Sequence, residues 1–118
     1  MEFKNLDDVK KFIEKLTYKY REDINKPYQI RYSNRMRSTL GRCTETRFMS
    51  RPVRYVFTYN IKYLTEYLNN SKVIENTVLH EIAHAIVGVA HHRDSVWRIQ
   101  HIKMGGNGQR LFVKEATC

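Results

Sequence analysis

Residues 71 to 88 constrain this chain more than any other stretch, because they ask for a helix whose two sides have different tasks. Ile74, Val78, Ile82, Ala85 and Val89 recur at helical spacing and form one apolar stripe. On the opposite side stand His80 and His84, four residues apart. That spacing puts the two imidazoles about 40° apart around the axis, close enough to reach one metal ion, with Glu81 one step round. The string His80-Glu81-Ile82-Ala83-His84 is therefore an H-E-x-x-H pattern, which supplies two ligands and a base able to act on water at the metal. No Lys or Arg lies between Val73 and His92, although a solvated helix face ordinarily carries them. The stripe is expected to pack the helix and the histidines to line a cleft.

Two protein ligands are too few for a catalytic zinc, which ordinarily takes three and a water. His91 and His92 are the next histidines along the chain. In an unbroken helix His91 would lie about 10 Å along the axis from His84, too far to share an ion, so the helix has to end first. Gly88 is placed to end it, since glycine adopts the left-handed conformation that closes helices. Asp94 then reads as the N-cap of a further helix running through Trp97 to Met104 and stopped by Gly105-Gly106. His101, inside that helix, has no partner at ligand spacing and reads as a packing or surface histidine.

A chain of 118 residues is expected to form a single domain, with its core over about residues 6 to 108, and is long enough to need no disulfide staples. Its two cysteines, Cys43 and Cys118, form no C-x-x-C pair, which argues for a reducing compartment and against a cysteine zinc ribbon within this chain. Residues 1 to 5 lack the apolar run of a signal peptide, and no stretch approaches the roughly 18 apolar residues of a membrane span. The expectation is an intracellular protein with no membrane partner.

The formal charge is +9, from 21 Lys and Arg against 12 Asp and Glu. Between residues 31 and 54 the bases are all arginines, Arg31, Arg35, Arg37, Arg42, Arg47, Arg51 and Arg54, and Glu45 is the sole acid. Guanidinium forks suit phosphate, so the segment points to an anionic partner such as nucleic acid, with Arg31, Arg35, Arg37, Arg42 and Arg47 as the candidate contacts. Tyr28, Tyr32, Phe48, Tyr55, Phe57 and Tyr59 are interleaved with them. Alternating strands would send these aromatics into the core, and the alternative is that some of them stack on exposed bases.

Leu6, Val9, Phe12, Ile13, Leu16 and Tyr20 trace a first amphipathic helix, capped by Asn5, favoured at its start by Asp7 and Asp8, and stopped at Lys26-Pro27. Residues 28 to 32 alternate as a half-buried strand, and two more strands are expected over residues 38 to 45 and 53 to 58. Asn60 is a candidate cap for a short helix holding Ile61, Leu64 and Leu68, and Asn69-Asn70-Ser71 turns the chain into the His80 helix. The fold class is α+β: an N-terminal helix, a three-stranded antiparallel meander, then helices, with the metal helix laid over the sheet.

The run from Arg31 to Cys43, the aromatic strand entering a short helix, the string Val78-Leu79-His80-Glu81-Ile82-Ala83-His84-Ala85, and Asp94-Ser95-Val96-Trp97-Arg98 before Gly105-Gly106 together resemble the SprT-like metalloprotease family, which includes the Spartan DNA-dependent proteases. The resemblance covers roughly residues 6 to 108. It implies a zincin-like minimal metalloprotease domain, with His80 and His84 as zinc ligands and Glu81 as the catalytic glutamate. It also implies a third histidine ligand just before the Trp97 helix, and cleavage of DNA-bound or DNA-crosslinked proteins. Family members often carry that third histidine four residues before the aromatic, where this chain has Arg93. The role is therefore carried over to His91, with His92 as the alternative. Two other functions remain open on the residues alone: a zinc-stabilised nucleic-acid-binding module without catalysis, and a zinc peptidase unrelated to DNA.

Overall fold

The sheet is organised around one strand that is buried along most of its length. In the computed structural model, which describes residues 2–88 and 95–108, six consecutive residues at the end of strand β3 (Arg51–Asn60) are shielded, from Tyr55 to Asn60. Such a run needs a neighbour on each side. Strand β1 (Tyr28–Ser33) pairs with β3 in parallel, Tyr28 opposite Tyr55 and Ser33 opposite Asn60. Strand β2 (Gly41–Phe48) pairs with it antiparallel on the other side, giving the order β1-β3-β2.

The sheet is thus mixed, and the expected antiparallel meander is corrected. A meander would put β2 in the centre, yet β2 alternates between shielded and exposed residues as an edge strand does. The physical reason lies at the end of β3. The Asn60 side-chain amide donates to the carbonyls of Met36 (3.2 Å) and Thr39 (3.0 Å), and its backbone N–H donates to Leu40 O at 2.8 Å. These bonds draw residues 34 to 40 across the end of β3, so that β2 starts on the far side from β1.

The β2–β3 connection is a two-residue hairpin, Met49 and Ser50, with positive φ at both (52° and 66°), as type I′ turns require. The register slips between Thr46 and Arg47, beside Pro52, which has no N–H to give to a ladder.

Helix α1 (Leu6–Lys19) begins as the sequence indicates, with Asn5 Oδ1 accepting from the Asp8 N–H at 3.0 Å. A one-turn helix α2 (Arg21–Ile24) follows and ends at Asn25, in left-handed conformation at φ 57°, so the stop comes just before Lys26-Pro27. Helix α3 (Ile61–Glu66) is capped by Asn60 Oδ1, which accepts from Lys62 N–H at 3.1 Å. Helices α4 (Ser71–Val87) and α5 (Ser95–Lys103) complete the described elements. Val9 and Ile13 of α1, Phe57 and Tyr59 of β3, Leu64 of α3 and Ile74, Val78 and Ile82 of α4 form one core on one face of the sheet. No described helix is long and apolar enough to cross a membrane.

Asn60 therefore serves the loop, the sheet order and the α3 cap together while only 1% exposed. Replacing it by alanine strands two carbonyls and one helix N–H, and Asn60→Ala should lower stability by about 2–3 kcal/mol in urea unfolding. A loss below about 0.5 kcal/mol, the scale of an ordinary surface substitution, would contradict this account of the strand order.

Candidate metal centre

Helix α4 is buried nearly all round. Besides its apolar stripe, Asn76, Thr77, His80, Glu81 and His84 are also shielded. Asn76, His80 and His84 follow one another at i, i+4 spacing and so form a polar column on one side of the helix. The histidines are not on a solvated face: His80 and His84 are each 3% exposed and Glu81 is fully buried. The cover is α5, whose Trp97 packs directly over the column.

The two imidazoles converge. His80 Nε2 and His84 Nε2 lie 3.1 Å apart, and Glu81 Oε2 is 3.9 Å from His80 Nε2. One potential ligand atom from each of the three side chains fits within 4.8 Å. Nitrogens each about 2.0–2.1 Å from one tetrahedral zinc would be separated by roughly 3.3 Å, so the observed pair needs almost no movement to share an ion. Without a cation, one ring nitrogen must donate to the other, and a metal takes the place of that single shared proton. The donor set, imidazole nitrogens beside a carboxylate, suits zinc and similar divalent ions. The buried group His80, Glu81 and His84 can therefore bind a metal.

Trp97 fixes the rings. Its Nε1–H donates to His80 O at 3.3 Å. Its plane stacks at 24° on His84 (centroids 5.6 Å) and at 29° on His101 (4.8 Å), while His80 meets it edge-on at 4.7 Å.

His101 is fully buried behind this tryptophan. Its Nε2–H donates to Asn76 O at 3.3 Å, and its Nδ1 accepts from Gly108 N–H at 3.2 Å, so these partners assign a neutral tautomer. Burial pushes its pKa below the ordinary imidazole value, against the opposing pull of the Asn76 carbonyl. Both nitrogens are committed, which leaves no lone pair for an ion. Packing, not ligation, is the role of His101, as its isolated position in the sequence indicates.

Two partners of the column escape sequence reading. Asn76 Oδ1 accepts from Asn107 N–H at 3.1 Å, closing the segment after α5 onto α4. Gly106 approaches so closely that a Cβ would lie 2.0 Å from His101 Nε2. The signal for Asn76 was present, since it stands four residues before His80 on the same side.

Helix α4 ends at Gly88 as its placement suggests, with Gly88 N–H donating to His84 O at 2.8 Å. Its φ of 104° and ψ of 141° belong to a glycine-only region rather than to the left-handed helical conformation expected. His91 and His92, the candidate third ligands, and Asp94, the candidate cap, lie outside the described residues.

The candidate anion contacts divide. Arg31 on β1 and Arg42 on β2 stand opposite the same residue, Thr58, so both lie on the sheet face turned away from the core, and both are exposed. Arg35 and Arg37 are exposed in the segment between β1 and β2. Arg47 is drawn elsewhere, pairing with Glu45 Oε1 at 2.5 Å. Tyr28, Tyr32, Tyr55, Phe57 and Tyr59 face the core, but Phe48 is 68% exposed. Phe48 corrects the reading that sent all six aromatics inward.

A family model described as the SprT-like family matches residues 9–114. No curated protein matches the chain, and no solved structure does.

The Gly106 contact yields a direct test of how tightly the column is packed. Gly106→Ala should drive a methyl group into the His101 ring and destabilise the fold by about 1–3 kcal/mol in thermal or urea unfolding. A variant as stable as the parent would mean that the segment after α5 is free to move away from α4.

Proposed function

This chain belongs to the SprT-like family, and on that footing we propose that it is a zinc-dependent endopeptidase whose centre is built from His80, Glu81 and His84. The observation that carries the reading is the buried pair of Nε2 atoms 3.1 Å apart, with the Glu81 carboxylate beside it. A purely structural zinc site has no use for a base at that place.

His80 and His84 would hold the metal, with His91 as the third ligand and His92 as the alternative. Bound zinc would supply Lewis acidity, polarising a peptide carbonyl and making water a competent nucleophile near neutral pH. Glu81 accepts the proton of the attacking water and returns it to the leaving amine. Trp97 excludes solvent from the rings and keeps their nitrogens convergent, so little reorganisation accompanies binding of the ion. Substrate reaches the site as an extended chain. Among the described residues β2 pairs only with β3, and Gly41, at its start, packs against Thr77, one turn before His80. The open edge of β2 can therefore take a peptide as an added strand.

The exposed arginines support DNA as a partner, and proteins bound or crosslinked to it as the substrate class. Seven guanidinium groups with one acid among them concentrate positive potential on the sheet and its loops.

Glu81→Gln preserves shape and burial but removes the base, so it should bind zinc at unchanged stoichiometry while cleavage of a protein substrate falls about 10²-fold or more. A cleavage rate equal to that of the native chain removes Glu81 from the mechanism.

Metal titration by competition with a chromophoric chelator separates the ligands. His80→Ala and His84→Ala should abolish stoichiometric zinc binding, His91→Ala should weaken it strongly and His92→Ala only slightly. The reverse order for the last two would transfer the third position to His92.

For the partner, the logarithm of DNA affinity should fall linearly with that of salt concentration, with a slope of roughly −0.7 to −0.9 per phosphate neutralised, and Arg35→Ser, Arg37→Ser and Arg42→Ser together should flatten it. A triple variant with full DNA affinity and an unaltered slope would make these three arginines a solvated surface and put the peptidase reading without DNA first.

A further inference from the structure

One feature of the basic segment is not accounted for by charge alone. The hairpin between β2 and β3 ends in two bulky apolar side chains, Phe48 at 68% and Met49 at 83% exposure. Met49 and its neighbour Ser50 both hold positive φ in a turn that Asn-Gly would form with less strain. An exposed methionine kept in a strained position points to a use for the side chain itself.

Alternation along the strands shows where this tip lies relative to the arginines. Arg42, Thr44, Thr46 and Phe48 follow at every second residue of β2 and share the sheet face turned away from the core. Arg31 and Arg42 flank Thr58 on that face, Arg54 stands opposite Thr46, and Arg51 stands opposite Phe48. All four arginines are exposed. The result is a track about 20 Å long from Arg42 to Phe48, basic along its length and aromatic at its end.

We propose that this face and the hairpin tip bind single-stranded nucleic acid, with Arg31, Arg42, Arg51 and Arg54 on the phosphates and Phe48 and Met49 against unstacked bases. The inference deepens the DNA reading above and rests on it. Guanidinium groups spread along a strand match a linear polyanion, and an aromatic ring at the end of a protruding hairpin can stack on a base only where that base is unpaired. A lipid surface would favour bases gathered at one depth around the apolar tip, whereas Arg31 and Arg42 lie at the opposite end of the strands. A duplex would use the arginines and leave Phe48 idle.

The test uses the whole zinc-loaded chain with Glu81→Gln in place, so that nothing is cleaved. Fluorescence anisotropy with a labelled oligothymidylate is compared with a blunt duplex of the same length, at several salt concentrations. A tip variant combines Phe48→Thr with Met49→Asn and Ser50→Gly, residues that favour the same turn and so preserve the hairpin. Its affinity for the single strand should fall about tenfold with an unchanged salt slope, since base stacking is lost and no cation is removed. Its affinity for the duplex should stay within about twofold. Equal losses on both probes, or no loss on the single strand, overturn the proposal while leaving DNA binding intact. A parent chain that binds neither probe defeats the DNA reading along with it. Sedimentation with phosphatidylcholine and phosphatidylserine vesicles covers the remaining partner: binding to vesicles that the tip variant loses, together with unaltered single-strand affinity, would assign the tip to a membrane instead.

Discussion

Two imidazoles and a carboxylate taken out of water on one helix face would be costly without partners, and the arrangement of α4 and α5 follows from meeting that cost. The column Asn76, His80 and His84 is shielded, so on α4 it is Lys72 and Glu75 that stand exposed to water. Trp97 covers it with one hydrogen bond and two stacked faces, and His101 and the backbone of Gly108 complete the polar pairing behind. Gly106 is glycine because the His101 ring occupies the space where a Cβ would stand. The Trp97 contacts pack directly on the rings of His80 and His84, whose Nε2 atoms lie 3.1 Å apart, so the packing that shields the site also suits it to a metal.

The helix carrying this site was legible because its signals are local. The H-E-x-x-H spacing, the apolar stripe and Gly88 all act within α4, and Asn5 and Asn60 announce their helices through side chains that bond the next turn. Strand order was not legible. It depends on Asn60 bonding carbonyls at Met36 and Thr39, more than twenty residues earlier, and no periodicity in either segment encodes that pairing. The depth to which the histidines are buried was not legible for a related reason. A helix that reads as amphipathic can still bury its polar side when a second helix brings a tryptophan and matched hydrogen-bond partners to it.

Charge patterning told which residues were exposed but not which faced together. Arg31 and Arg42 are eleven positions apart and meet across Thr58 because β1 and β2 flank the same strand. Arg47, between them and Phe48 in sequence, turns to the other face and to Glu45. The basic segment is thus divided by the pleat of the sheet, with one set of guanidinium groups presented in a row and another held by an acid. This separation places the exposed arginine row on the side of the sheet opposite the helix that carries His80 and His84, so the nucleic acid proposed above and a substrate protein would approach different faces.

Zinc-edge X-ray absorption on the reconstituted chain tests the central claim most directly, because it reads ligand type and distance at the metal itself. One zinc per chain in a shell of nitrogen and oxygen ligands near 2.0–2.1 Å, with the outer scattering of at least two imidazoles, is the result the convergent His80 and His84 nitrogens require. Zinc that fails to bind stoichiometrically, or that shows sulfur ligands near 2.3 Å, would contradict it.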